Sequence, residues 1–247
     1  MRLIILGSGT AAPLLDRNCA GYLVEADGKK LLLDSGAGTI RRLLEIKVDL
    51  FDIDNIFYTH LHNDHINDLG AIIWSNNYGG IRKEPLNLYG PSGFKNYCSI
   101  LIKKLLKPTK LNFKINIKEL KKSIIKIKNI TISTNEIRHS STTKSIAYRI
   151  KHKNKSLVYM GDTGYNIQAI NAAKNADFLM VECSLPKEIG GHLTPSLAGK
   201  IAAKTNVKTL ILTHFYPEVL KTGIRKHCSR EFDGNIILAK DKMRINI

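Results

Sequence analysis

Thiols are scarce in this chain. Cys19, Cys98, Cys183 and Cys228 are its four cysteines, and none stands in a CxxC or other paired spacing. That argues against the disulfide framework of short, cysteine-dense secreted chains and points to free thiols in a reducing compartment, the cytoplasm. Long apolar runs are missing too. No stretch reaches the roughly 18 residues of a membrane span. The N-terminal Leu3-Ile4-Ile5-Leu6 is too short for a signal peptide and reads as a strand. Acidic residues are few: Asp and Glu number 21 against 38 Lys and Arg, leaving a net charge of +17. Such a surplus favours anionic partners such as RNA, DNA or nucleotides; its plain alternative is a Lys- and Ile-rich composition that solvates the surface. Aromatics are sparse where the lysines concentrate, between Lys103 and Lys128, with Phe113 alone among them. A stacking platform for single-stranded nucleic acid needs more, so the charge supports phosphate attraction and not base reading.

Apolar residues suffice for a full core. The 247 residues are 43% hydrophobic and contain no linker, low-complexity segment or strong repeat, so 1–247 is read as one domain. Strands are predicted over 2–6, 22–26, 30–33, 55–59 and 86–89 from short apolar runs bounded by turn residues. Helical periodicity marks 38–47, 66–78 and 93–107. In the second half, 113–117, 124–127 and 130–133 alternate as half-buried antiparallel strands do. A hairpin is predicted from 146–150 and 156–160, with further strands at 178–181, 209–212 and 236–239. A helix spans 195–204, with Thr194 as N-cap and Pro195 at N1, and another begins near 217. Strands followed by β–α units, twice over, fit an α/β architecture of two stacked mixed sheets with helices outside.

The densest chemistry is His60-Leu61-His62-Asn63-Asp64-His65. It follows a predicted strand and opens a predicted helix. Alternate strand residues point the same way, so His60 and His62 reach one metal, while Asp64 and His65, past the turn, face a neighbouring position. Nitrogen and oxygen donors without thiolate suit a hard-to-borderline divalent ion. His139, Asp162 and His214 each follow a predicted strand. Singly they read as polar residues or turn formers; together with the first motif they project from sheet ends toward one cleft. Asp34 is read as a carboxylate behind a ligand histidine or, equally, a turn. Gly7-Ser8-Gly9 lacks the third glycine of a dinucleotide fingerprint and reads as a tight loop beside the cleft. His152 and His227, among basic and polar neighbours, are expected at the surface. Cys183 has no paired base and is an unsupported nucleophile.

These residues carry a resemblance to metallo-β-lactamase-fold hydrolases, and within them most to ribonuclease Z. It rests on Leu6-Gly7-Ser8-Gly9-Thr10, Leu33-Asp34-Ser35-Gly36, Thr59 through His65, His139-Ser140, Gly161-Asp162-Thr163, Gly191-His192-Leu193-Thr194 and Leu212-Thr213-His214. The resemblance implies a four-layer αββα sandwich and two divalent metal ions, zinc first, with manganese or iron as other choices. His60, His62 and His139 would hold one ion, Asp64, His65 and His214 the other, and Asp162 would bridge. It implies a metal-bound hydroxide attacking a phosphodiester, with Asp64 orienting it and His192 protonating the leaving oxygen or stabilising the phosphorane. The N-terminal cap of the 195–204 helix is the competing role for His192. The substrate would be an RNA 3′ end or a small phosphodiester such as a cyclic nucleotide. A homodimer is compatible with the resemblance, and no residue pattern decides it. One departure stands out: ribonuclease Z carries a long tRNA-gripping arm between the residues matching His139 and Asp162, where this chain has about twenty residues. A thioester or lactone hydrolase on the same metals, or a non-catalytic nucleic-acid-binding relative, are the alternatives.

Overall fold

Strand β1 (Arg2–Gly7) sends Leu3 and Ile5 into one core and Ile4 and Leu6 into another. The same alternation continues in β2 (Gly21–Ala26) and β3 (Lys29–Ser35), where Tyr22, Val24, Leu31 and Leu33 face the first core and Leu23 and Leu32 the second. Uninterrupted apolar runs of this kind belong to a sheet covered on both sides. Each fully buried Leu or Ile stabilises the fold by about 1.5–3 kcal/mol. The computed structural model describes residues 1–140 and 143–247. Its further strands are β4 (Asn55–Phe57), β5 (Leu86–Gly90), β6 (Ile115–Glu119), β7 (Ile124–Ile127), β8 (Ile130–Arg138), β9 (Lys144–His152), β10 (Lys155–Met160), β11 (Phe178–Glu182), β12 (Thr209–Thr213), β13 (Asn235–Leu238) and β14 (Arg244–Asn246).

They form two seven-stranded sheets, β14-β1-β2-β3-β4-β5-β6 and β13-β12-β11-β10-β9-β8-β7. Each is antiparallel through its first hairpins and parallel beyond, from β3 to β6 and from β10 to β13. The larger core lies between the sheets and under the helices α5 (Ile167–Ala173), α6 (Pro195–Ala203), α7 (Pro217–Leu220) and α8 (Ile224–Ser229). The second core lies on the outer face of the first sheet. It is covered by α1 (Thr39–Glu45), α2 (Asn63–Ile66), α3 (Leu69–Tyr78) and α4 (Phe94–Ile100), which continues as a π-helical turn, Leu101–Leu106. The architecture is the αββα sandwich expected, a metallo-β-lactamase fold. No helix among the described residues is long and apolar enough to cross a membrane.

Several elements differ from expectation, each for a local reason. The strand predicted over 55–59 stops at Phe57, because the Thr59 N–H leaves the ladder and donates to Asp34 Oδ1 at 2.8 Å. His60 and His62 are therefore loop residues, and strand alternation does not explain how they converge. The helix predicted from 66 opens at Asn63 and breaks before Leu69, where the Asp68 carboxylate turns back to accept from Gly38 N and Ile40 N. The segment predicted over 113–117 begins two residues later as β6 and pairs parallel with β5, not antiparallel. β8 runs on to Arg138, delivering His139 directly from a strand end. α5 and the three-residue β14 were not anticipated.

Candidate metal centre

The parallel strands of both sheets end at one rim, the usual place for a site in such folds. His60 and His62 come from the loop after β4, Asp64 and His65 from the short helix α2 that follows it, His139 follows β8, Asp162 lies just past β10, and His214 follows β12. Ligand-type atoms of His60, His62, His139 and Asp162 lie within 4.8 Å of one another, and so do those of Asp64, His65 and His214. Asp162 reaches both groups. Its Oδ1 is 3.2 Å from His65 Nε2 and 3.4 Å from His214 Nε2, while Oδ2 is 3.8 Å from His60 Nε2 and 4.0 Å from His139 Nε2.

Two atoms at this point are shut off from solvent with no hydrogen-bond partner: His60 Nε2 and Asp162 Oδ1. Orphaned buried polar atoms are costly, and two converging in an imidazole–carboxylate cluster are what a cation would satisfy. The donor set fits divalent metal ions. Burial drives His60 well below the usual imidazole range. At His65 burial acts the same way, but Asp162 and Asp34 overcome it and hold the imidazole well above that range. Against its own burial, Asp162 is held well below the carboxylate range by His214, His65 and His60.

Behind these groups, Asp34 is fully buried in a left-handed conformation (φ 54°) at the end of β3. Its carboxylate accepts from Thr59 N and Oγ1 at 2.8 Å each, from Tyr159 Oη at 2.5 Å and from His65 Nδ1 at 2.7 Å. That fixes His65 with Nε2 toward the centre, as a carboxylate behind a metal-binding imidazole does. His139 Nδ1 donates to the Gly191 carbonyl at 2.9 Å, leaving its Nε2 inward. His214, also left-handed (φ 59°), contacts Ser184 Oγ through Nδ1 at 3.0 Å and Asp64 Oδ2 through Nε2 at 3.2 Å. Gly36 makes room for this: a Cβ there would meet the Asp64 carbonyl oxygen at 2.0 Å. His62 alone of the set is exposed.

His192 stands over the cluster. Its Nδ1 lies 3.0 and 3.1 Å from the two Glu182 carboxylate oxygens and 3.9 Å from Asp162 Oδ2. Burial would lower its pKa, but the Glu182 hydrogen bond and charge, with Asp162 and Asp64 beyond, raise it to about 9. Glu182 is buried, and it also accepts from Thr163 N, Leu193 N and Ser184 Oγ. Thr194 caps α6 by accepting from Leu197 N, so His192 is not the cap of that helix.

All seven proposed ligands and His192 are thus brought to one place. Glu182, Thr59, Tyr159, Ser184 and Tyr216 were missed. For Glu182 a signal existed: an acidic residue closing a buried apolar strand. The Cys183 thiol is fully buried, and burial pushes its pKa well up, which removes it as a nucleophile. Ser8 binds Asp241 through its N–H and hydroxyl and accepts from Phe215 N, so the Gly7-Ser8-Gly9 loop does lie against the strand end that carries His214.

A family model described as anti-Pycsar protein Apyc1 matches residues 1–232. Ribonuclease Z from Methanosarcina mazei is 25% identical, covering all of this chain and 98% of its own. Ribonuclease Z from Brevibacillus brevis is 28% identical over 88% of this chain and 86% of its own. Among solved structures, the metallo-β-lactamase fold protein YhfI from Bacillus subtilis superposes with a TM-score of 0.85 at 23% identity, over 99% of this chain and 98% of that one. The short form of human tRNase Z superposes with a TM-score of 0.83 at 24% identity, over 100% and 99%. The recognition made from the residues, a ribonuclease Z-like chain with this fold, is borne out, and with it the expectation of a metal-dependent hydrolase.

Proposed function

The chain belongs to the anti-Pycsar protein Apyc1 family, and we propose that it is a phosphodiesterase working with two divalent metal ions, zinc by preference. The observation that carries this reading is the bridging place of Asp162, with one oxygen toward each ligand group and the buried His60 Nε2 beside it. His60, His62 and His139 would hold one ion and Asp64, His65 and His214 the other. Two such ions, when bound, lower the pKa of water and neutralise phosphodiester charge. Asp64 orients the attacking water. Glu182 holds His192 by Nδ1 and stabilises its imidazolium form, so Nε2 can protonate the departing oxygen.

A small phosphodiester, such as a cyclic nucleotide, fits better than an RNA 3′ end. The stretch between His139 and Asp162 is taken up by the hairpin of β9 and β10, which leaves no room for a tRNA-gripping arm. The alignment with the Methanosarcina ribonuclease Z spans 304 positions against 247 residues here, so that relative carries segments this chain lacks. We place the enzyme in the cytoplasm, in line with its free thiols, as one catalytic unit over 1–247. Elemental analysis of the purified protein comes first. Turnover is then measured on an aryl phosphodiester, cyclic nucleotides, precursor tRNA, a thioester and a β-lactam. About two metals per chain with phosphodiester turnover is the expected result. A metal-free protein, or one turning over only the thioester, would sink the proposal.

A further inference from the structure

Tyr216 has no part in the ligand set, yet it sits against it. Its ring centroid lies 6.4 Å from that of His192 and 6.3 Å from that of His214, and those two imidazoles are themselves 6.4 Å apart. The imidazoles are nearly parallel (12°), while the phenol ring stands at 78° and 82° to them and closes the space between them on one side. Its backbone is fixed. Tyr216 precedes Pro217, which restricts it to extended conformations, and it adopts φ −74°, ψ 156° with its N–H donating to the Ser184 carbonyl at 3.3 Å. The residue as a whole is half-buried, so part of its side chain stays open to a ligand. What Tyr216 presents beside the two imidazoles is its ring.

The leaving oxygen must lie within reach of His192 Nε2, so the group it carries departs from the space that Tyr216 borders. Aromatic pairs interact at centroid separations of about 4.5–7 Å, and base–aromatic stacking tolerates any base because each has a π-face. We propose that the Tyr216 ring is the wall that seats a planar aromatic substituent of the substrate, a nucleobase or an aryl ester, beside His192. This inference rests on the phosphodiesterase reading and names the substrate class of that site.

The test is direct binding, which separates the inference from the reading beneath it. Metal-loaded protein is titrated calorimetrically with a nucleoside monophosphate and with inorganic phosphate. The wild type should bind the nucleotide about tenfold or more tighter. Tyr216→Ala and Tyr216→Leu should bring that ratio below about threefold, with metal content and unfolding temperature unchanged. Tyr216→Phe and Tyr216→Trp should keep it. The inference is overturned if either non-aromatic variant retains the ratio. It is equally overturned if Tyr216→Phe loses it, since the hydroxyl would then be the contact. Absence of phosphodiester turnover with the ratio intact would instead strike the catalytic reading alone.

Discussion

At the scale of single residues, the centre depends on carboxylates that never touch an ion. Asp34 spends its lone pairs on Thr59, Tyr159 and His65. An amide in its place keeps the shape but turns one acceptor into a donor facing other donors. Asp34→Asn is expected to weaken metal binding about 10–100-fold, the usual cost of losing the partner behind a ligand imidazole. Competitive titration with a chromogenic chelator measures it, and unchanged affinity would make Asp34 a folding residue only. His192 behaves in the opposite sense. It contacts Asp162 only at 3.9 Å and is anchored by Glu182, so His192→Ala should leave metal content intact while lowering kcat by about 100-fold or more. KM should change little, because the interaction grows with negative charge on the departing oxygen. His65→Ala is the contrast: metal content should fall along with turnover. Near-normal kcat for His192→Ala on a substrate with a poor leaving group would remove the general-acid role.

At the scale of elements, loops and the short helix α2 carry the chemistry and strands only aim it. α6 shows the separation of roles. Thr194 caps it and His192, two residues earlier, faces Glu182. Thr194→Ala should cost about 1 kcal/mol in denaturant unfolding, as cap losses do, with turnover nearly unaltered. If turnover falls as steeply as in His192→Ala, the two roles are not separate. Gly191 sets the turn that leads into His192 and then Thr194. It holds φ 87°, and a Cβ there would meet the His139 carbonyl oxygen at 2.5 Å. Much of this site was legible in the sequence because metal ligands are short-range signals: four of the seven sit within six residues, and the other three come after predicted strands. Tyr216 was not legible, and Glu182 showed only as an acidic residue closing an apolar strand, because their roles come from side chains that meet only when separate strand ends of the second sheet are brought side by side. β6 was misread for a similar reason. Its alternation is real, but a parallel partner and an antiparallel one leave the same period-2 pattern, and the direction is set by the α4 crossover.

At the scale of the whole molecule, the ligand set ties two sheets together. His60, His62, Asp64 and His65 belong to the first sheet's rim, and His139, Asp162 and His214 to the second's. Metal removal should therefore lower global stability. Free metal at 100 times its Kd stabilises the native state by about 2.7 kcal/mol per site, so chelation should lower the unfolding temperature, and restored metal should recover it. Charge acts over the same length. The ten lysines from Lys103 to Lys128 are all exposed, and among the described residues none of them forms an ion pair. Some lie on β6 and β7, the adjacent edge strands of the two sheets, where lysine also blocks strand-on-strand association. Such a surface attracts phosphates without reading bases. Any RNA binding should then weaken steeply with salt, each neutralised phosphate adding about 0.7–0.9 to the log–log slope. Gln at Lys118, Lys121, Lys122 and Lys126 should flatten that slope. Small-phosphodiester turnover should be far less sensitive, because its contacts are short-range and inside the cleft, where screening is weak. The measurement is an RNA binding isotherm series at rising salt beside a parallel turnover series. Tight RNA binding indifferent to salt would mean a built RNA site and would displace the small-phosphodiester reading.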